Sequence, residues 1–240
     1  MSGKKKKNNF VMQNFYEKDS VKCYNRKYVN PNEKHHQIKV PFRMIIIGAS
    51  GSGKTNILLN LLNMMTDTFN HIYLFTRNLD EPLYSYLKAS ISDKYLHMYE
   101  GLGELNKMDL NKAFEGQCLV MFDDLCLEKD QSQICELFIR GRKLAAGVSL
   151  CYLSQSYYKI PKTIRLQTNY IILRKISSTR DLNMLLADSS LGVTKEILQA
   201  LYKGCVKKSI TDFLFIDLMV DPEKAFRKNF DTMICLNEEE

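Results

Sequence analysis

A glycine-rich octapeptide lies between a short apolar run and a stretch with the pattern of a helix. The apolar run is Met44–Ile47, and the leucine-rich stretch that follows covers residues 56–62. In this context the match to G-x-x-x-x-G-K-[ST] predicts a strand, a tight phosphate-binding loop (P-loop) and a helix in direct succession. The eight residues of the loop are Gly48, Ala49, Ser50, Gly51, Ser52, Gly53, Lys54 and Thr55.

The residue types of this loop suit a nucleoside triphosphate. Glycine lets the backbone turn tightly and approach a phosphate without an intervening Cβ. The N–H groups at the start of the following helix form an anion site, which the helix dipole reinforces. We therefore expect Lys54 to reach the β- and γ-phosphates and Thr55 to offer its hydroxyl to Mg²⁺.

Short apolar runs alternate with helical stretches from Phe42 onward. The runs are apolar almost throughout, which is typical of strands buried on both faces. The alternation predicts an α/β fold with a mostly parallel sheet sandwiched by helices. The runs are Met44–Ile47, His71–Phe75, Cys118–Phe122, Val148–Leu153, Tyr170–Leu173 and Phe213–Leu218, and the helix candidates are Lys54–Met65, Glu81–Ser90, Lys129–Leu144, Lys159–Leu166, Thr179–Asp188 and Thr194–Tyr202.

Composition divides the chain into three parts. Residues 1–40 form a basic N-terminal arm with few aliphatic side chains, and residues 41–220 form one α/β domain. Residues 221–240 are polar and end in three glutamates, which predicts a C-terminal tail that frays. We interpret the arm as a solvated segment; the alternatives are an arm that contacts phosphates or one that docks on a neighbouring subunit.

Two acidic residues directly follow the buried run Cys118–Phe122. An acid at the end of such a strand completes the Mg²⁺ site of a P-loop protein, so Asp123 is expected to hold the ion directly or through water. Asp124 would point in another direction and could orient and deprotonate the attacking water. The alternative is that Asp124 caps the next helix.

The order of these segments favours an ATPase of the additional-strand (ASCE) type. The run His71–Phe75 lies between the loop and the acidic pair along the chain, and neither a D-x-x-G nor an N-K-x-D motif of a GTPase is present. A nucleotide kinase would lack the paired acids and would carry an arginine-rich lid, so ATP hydrolysis is favoured over phosphoryl transfer to a small molecule. Gln155 follows the run Val148–Leu153, at the tip of a strand expected between the two nucleotide-binding strands. It is therefore our candidate sensor of the γ-phosphate, with a loop-facing amide as the alternative.

A longer pattern follows the acidic pair: GRKLAAGVSLCYLSQ at 141–155, then Ile160-Pro161 and Ile164-Arg165, and then residues 169–172. This pattern resembles the FtsK–HerA superfamily of DNA-pumping ATPases. Within it the chain is similar to the poxvirus-type DNA-packaging ATPases of large DNA viruses, virophages and polinton-like elements, over roughly residues 44–190. Asp124 departs from the pattern, since many relatives carry the longer Glu there.

The resemblance implies an oligomeric ring, a hexamer, that threads double-stranded DNA into a capsid at the expense of ATP. It implies an arginine delivered by the neighbouring subunit, for which Arg142 is the candidate and Arg140 and Arg174 are alternatives. A capsid protein or vertex would be a further partner, and the location would be the host cytoplasm or a viral factory, with association with the virion as an alternative. The alternative function is a nucleotide-gated loader or scaffold that assembles on DNA or capsid protein without processive movement.

Three groups of basic residues are candidates for contacts with DNA. The net charge of +7 is compatible with a polyanionic partner but does not identify one. Backbone phosphates would be the targets, and each basic group has a solvated surface as its alternative role. A membrane partner is not expected, because no apolar run reaches 18 residues. The basic groups are Lys159, Lys162 and Arg165; Lys203, Lys207 and Lys208; and the lysines at 4–7.

Overall fold

The computed structural model describes residues 12–22, 24–206 and 209–236, so the lysines at 4–7, Lys207 and Lys208 lie outside it. These residues build a nine-stranded sheet with the strand order β3-β2-β4-β5-β1-β6-β7-β8-β9. The strands are β1 (Arg43–Ile47), β2 (His71–Thr76), β3 (Leu96–Glu100), β4 (Cys118–Asp123), β5 (Val148–Ser154), β6 (Tyr170–Leu173), β7 (Leu214–Asp217), β8 (Phe226–Lys228) and β9 (Thr232–Met233).

Six neighbouring strands, from β3 to β6 in the sheet order, are parallel. The last three strands are added antiparallel beyond β6. β5 lies between β1 and β4, with Ile47 opposite Ser154 and Asp123 opposite Leu153. The carboxyl ends of these three strands therefore meet at one edge of the sheet, which is where parallel α/β sheets bind ligands.

Helices cover both faces of this sheet, which confirms the predicted mostly parallel α/β sandwich. One apolar cluster packs the first two long helices against one face, and a second cluster packs the later helices against the other face. The helices are α1 (Asp19–Lys22), α2 (Glu33–His36), α3 (Lys54–Met64), α4 (Pro82–Ser90), α5 (Ser132–Arg140), α6 (Lys162–Leu166), α7 (Thr179–Asp188) and α8 (Lys195–Val206). No helix in the described part of the chain has the length and apolar character needed to cross a membrane.

Two elements differ from the sequence prediction for local reasons. Strand β3 has a mixed sequence, LHMYE, and only its first residue is buried, so it lacks the apolar run of a central strand. The helix expected from Lys159 begins only at Lys162, because Pro161 lacks a backbone N–H and disfavours the helical conformation at Ile160.

The C-terminal segment extends the sheet where a fraying tail was predicted. Strand β8 pairs with β7, and both Phe226 and Arg227 are buried. The Arg227 guanidinium donates to Asp217 Oδ2 at 3.0 Å, to the backbone oxygen of His36 at 3.0 Å and to that of Phe230 at 3.1 Å. The prediction of a tail from residue 221 onward is therefore wrong for residues 222–233. A three-residue strand whose central residue is an arginine has no apolar pattern by which the sequence could reveal it.

The later half of the N-terminal arm packs on the domain. The Arg26 guanidinium donates to the backbone oxygens of Arg142, Lys143 and Ala145 at 2.9–3.1 Å. Ile38 is buried in the apolar cluster that includes α3. Among the described residues, the arm is thus exposed over 12–20 and largely attached to its own domain from Arg26 onward.

Candidate nucleotide-binding site

The loop at 48–53 joins β1 directly to α3, as the sequence predicts. Gly53 is the N-terminal cap residue of α3 and has a φ of 91°, a conformation that favours glycine. Gly48 is fixed by space instead, since a Cβ there would lie 2.4 Å from Ser52 Oγ. The loop is held at both sides, because Gly48 N donates to Ser154 O at 3.1 Å and Ala49 N to Lys175 O at 2.7 Å.

Lys54 lies at the first turn of α3 and faces the loop. Its ammonium donates to Gly48 O at 2.9 Å and to Ala49 O at 3.2 Å. Burial lowers the pKa of this ammonium, and the nearby carboxylates of Asp123 and Asp124 act in the opposite direction. The cation is therefore within electrostatic range of both predicted acids although β1 and β4 are separated by β5.

Asp123 is the last residue of β4 and is only 6% exposed. Burial raises the pKa of its carboxyl group, and a hydrogen bond from Tyr84 and the charge of Lys54 oppose that shift. Tyr84 Oη donates to Asp123 Oδ2 at 2.5 Å. Burial, with the Asp123 carboxylate beside it, raises the pKa of Tyr84 far above its ordinary value, so the phenol stays protonated as a donor.

Asp124 and Gln155 meet in front of the strand ends. Gln155 Nε2 donates to Asp124 Oδ1 at 3.2 Å, and both side chains are exposed. Asp124 adopts a φ of 54°, which turns the chain away from the direction of β4. It does not cap the next helix: α5 begins at Ser132, whose N–H is accepted by Asp130 Oδ1 at 3.0 Å.

These side chains share one cavity of about 380 Å³ at the carboxyl edge of β1, β4 and β5. The cavity brings together Lys54, Thr55, Asp123, Asp124 and Gln155, and is also lined by Ser50, Gly51, Thr76, Asn78, Asp80, Glu81, Pro82, Leu153 and Ser154.

The donor set of this cavity fits a magnesium ion. Mg²⁺ takes oxygen ligands and is usually held by one or two carboxylates with phosphates and water. The Thr55 hydroxyl and the Asp123 carboxylate supply oxygens on neighbouring elements of the site, and Glu81 adds negative charge that acts on Asp123. Residues Thr55 and Asp123 could therefore hold Mg²⁺ against a bound triphosphate.

The three candidate arginines lie in different places. Arg142 is exposed on a short 3-10 turn, Gly141–Lys143, which packs on the start of β5. Gln155 directly follows the other end of β5, so about 20 Å of strand separates Arg142 from the cavity of its own chain. Arg140 is paired with Glu136 and donates to Asn111, and Arg174 is buried and donates to the backbone oxygens of Ser209 and Ile210.

The predicted basic face of the sixth helix does not form as a unit. Arg165 turns inward, where it pairs with Asp188 and lies over the Tyr157 ring. Lys159 precedes the helix and is exposed, as are Lys162 and Lys203. The helical spacing of these three residues predicted the face wrongly, because the helix is one turn shorter than its sequence pattern suggests.

Sequence reasoning missed Tyr84 and the acidic pair Asp80-Glu81. Asp80 and Glu81 lie between β2 and α4, and Tyr84 lies in the first turn of α4. None of them has a spacing relation to the phosphate-binding loop or to Asp123. The only local signal is a Pro after Glu81, which marks a helix start and says nothing about a ligand.

Comparison with known proteins identifies a family and several relatives. Residues 31–224 match the family model described as Poxvirus A32 protein. The DNA packaging protein OPG160 of vaccinia virus (strain Copenhagen) is 26% identical over 195 residues, which cover 75% of this chain and 69% of the relative. The variola virus protein of the same name is 27% identical over 182 residues, 70% of this chain and 66% of the relative.

Solved structures with the same fold include the genome packaging NTPase B204 from Sulfolobus turreted icosahedral virus 2. Its sulfate complex has a TM-score of 0.61 at 16% identity and matches 81% of this chain and 98% of that chain. Its complex with ATP-gammaS has a TM-score of 0.57 at 15% identity and matches 81% of this chain and 100% of that chain. At these identities the likeness establishes the fold alone.

Proposed function

Because the chain belongs to the family described as Poxvirus A32 protein, we propose that it is an ATP-hydrolysing translocase that packages viral double-stranded DNA into a capsid. Its vaccinia and variola relatives are named DNA packaging proteins. The observation that carries the ATPase part is the cavity that joins Lys54, Asp123, Asp124 and Gln155.

The loop binds the triphosphate, and the acids of β4 handle the metal and the water. The N–H groups of the loop and the Lys54 ammonium contact the β- and γ-phosphates. Thr55 and Asp123 would hold Mg²⁺, which would neutralise part of the phosphate charge when bound. The γ-phosphate would face the end of β4, where Asp123 and Asp124 lie.

Hydrolysis needs a base and a group that orients the water. The water oxygen attacks the γ-phosphorus, and the bond between the γ-phosphorus and the β–γ bridging oxygen breaks. Asp124 accepts the proton that the attacking water loses. Gln155, which is hydrogen-bonded to Asp124, orients the same water. The products are ADP and phosphate.

Subunit assembly completes the site. Arg142 lies too far from its own cavity to act there, and its exposure suits delivery to the cavity of a neighbouring subunit in a ring, which the family resemblance makes a hexamer. An arginine supplied in this way neutralises charge in the transition state and is worth about 10³–10⁵ in rate.

The DNA would pass through such a ring without recognition of its base sequence. Exposed Lys159, Lys162 and Lys203 are the described residues offered to backbone phosphates. A capsid protein or vertex is the second partner, and the viral factory in the host cytoplasm is the proposed place of action, with association with the virion as the alternative.

The test is ATP turnover by the purified protein with and without double-stranded DNA, together with a single-molecule DNA translocation assay. We expect DNA-stimulated turnover and movement, both lost in Lys54→Ala and both kept in the control Lys88→Ala, which removes an exposed lysine of α4. Turnover without DNA movement would instead support the loader or scaffold. Absence of turnover in the assembled wild type, or full activity of Lys54→Ala, would eliminate the ATPase.

A further inference from the structure

Tyr84 connects a fully buried helix face to the acid at the end of β4. The side chain is 0% exposed and its ring belongs to the apolar cluster between the sheet and α3 and α4. Its hydroxyl leaves that apolar surface and donates to Asp123 Oδ2 at 2.5 Å. Buried tyrosine hydroxyls need a partner, and here the partner is a carboxylate that lines the nucleotide cavity.

The other residue of the magnesium site comes from a different element. Thr55 lies in the first turn of α3 and lines the same cavity as Asp123. Among the described residues, no other side chain donates a hydrogen bond to the Asp123 carboxylate. The Tyr84 phenol is therefore the side-chain donor that holds the carboxylate at the end of β4.

We propose that Tyr84 is a positioning residue, which fixes the rotation of the Asp123 carboxylate so that it presents an oxygen to Mg²⁺ beside the Thr55 hydroxyl. This inference rests on the proposed function, because it assigns a role toward the metal of that site. Mg²⁺ demands near-ideal octahedral geometry. Groups that hydrogen-bond to metal ligands orient them, and their loss commonly reduces metal affinity by about 10- to 100-fold.

The decisive variant is Tyr84→Phe, which keeps the buried ring and removes only the hydroxyl. Tyr170→Phe is the matched control: Tyr170 is 2% exposed, and its hydroxyl accepts from Lys39 N at 3.0 Å, away from the cavity. For each protein the affinity for ATPγS is measured with Mg²⁺ and again with EDTA. The affinity for Mn²⁺ in the nucleotide complex is measured by electron paramagnetic resonance.

We expect Tyr84→Phe to weaken Mn²⁺ binding about 10-fold or more and to lose most of the gain in ATPγS affinity that Mg²⁺ gives the wild type. Its affinity in EDTA should match that of the wild type, and Tyr170→Phe should be unchanged in all measurements. Unaltered metal dependence in Tyr84→Phe would overturn the inference, and so would an equal loss with and without Mg²⁺, which is the result of a merely structural role. If the wild type binds no metal–nucleotide complex, the proposed function itself fails along with the inference.

Discussion

Gln155 and Asp124 form a hydrogen bond of 3.2 Å across the ends of two adjacent strands, β5 and β4. Neither side chain is buried, so the pair is in contact with the space that a γ-phosphate and its attacking water would occupy. In our proposal, hydrolysis depends on this arrangement, in which the exposed Gln155 amide holds the exposed Asp124 carboxylate beside Lys54 and Asp123.

Asp124→Asn should reduce ATP turnover by about 10²–10⁴-fold and leave ATP binding intact. The amide has the size of the carboxylate and can still pair with Gln155, but it cannot accept a proton from water. Turnover is measured by phosphate release and binding by calorimetry with ATPγS. Asp130→Asn is the control, because Asp130 is an exposed carboxylate of the same loop that accepts from Ser132 N. Retained turnover in Asp124→Asn would remove Asp124 from the chemistry.

Rings made only of Arg142→Ala subunits should not turn over ATP, but rings that also contain Lys54→Ala subunits should. A subunit with an intact loop but no Arg142 can be served by a neighbour that carries Lys54→Ala and an intact arginine. Each variant alone should turn over ATP about 10³-fold or more slowly than the wild type. Mixtures of the two inactive variants should regain part of the wild-type rate. Lys143→Ala, an exposed residue of the same turn, is the control. Wild-type turnover by pure Arg142→Ala rings would exclude this arginine.

Arg227→Met should lower the free energy of unfolding by about 3–5 kcal/mol, because it leaves the carboxylate of Asp217 buried without its partner. The two side chains are 2% and 6% exposed. Arg140→Met tests an exposed ion pair with Glu136 and should cost about 0.5 kcal/mol. Urea unfolding of both variants measures the difference. Equal and small losses would mean that the segment with β8 does not contribute to the stability of the domain.

His36→Asn should flatten the dependence of stability on pH below pH 6.5. Burial lowers the pKa of His36 in the folded chain, and the charge of Arg227 adds to this effect. The unfolded chain takes up the proton near the ordinary pKa of 6.5. The stability that the neutral, buried imidazole contributes is therefore complete above pH 6.5 and is lost as the pH falls toward the folded pKa. The slope is at most about 1.4 kcal/mol per pH unit.

The Asn variant keeps a needed acceptor and removes the titration. Its side-chain oxygen can replace His36 Nδ1, which accepts from Ile38 N at 3.0 Å. Unfolding is compared at pH 7.5 and pH 5.5, with His35→Asn as the control, since His35 is the exposed neighbour. An identical slope in wild type and His36→Asn would show that burial of this imidazole is not coupled to folding.

The parts of the fold and site that the sequence could predict are those written in contiguous residues. The loop at 48–55, the buried strands β4 and β5 and the helix α7 each carry their own pattern, and β5 lies between β1 and β4 as expected. Strand β3 at the edge and the three-residue β8 are specified by the strands with which they pair, β2 and β7, and not by a pattern in their own residues. Tyr84 meets Asp123 only because α4 folds back over the sheet.

The placement of β5 limits how a motor of this fold can move. This strand is bonded along its length to β1 on one side and to β4 on the other, so it cannot slide without breaking both ladders. It carries Gln155 just beyond one end and the turn with Arg142 just before the other, and Arg26 clamps that turn from outside. A displacement of β5 at its Gln155 end would therefore also displace the turn with Arg142 at its other end.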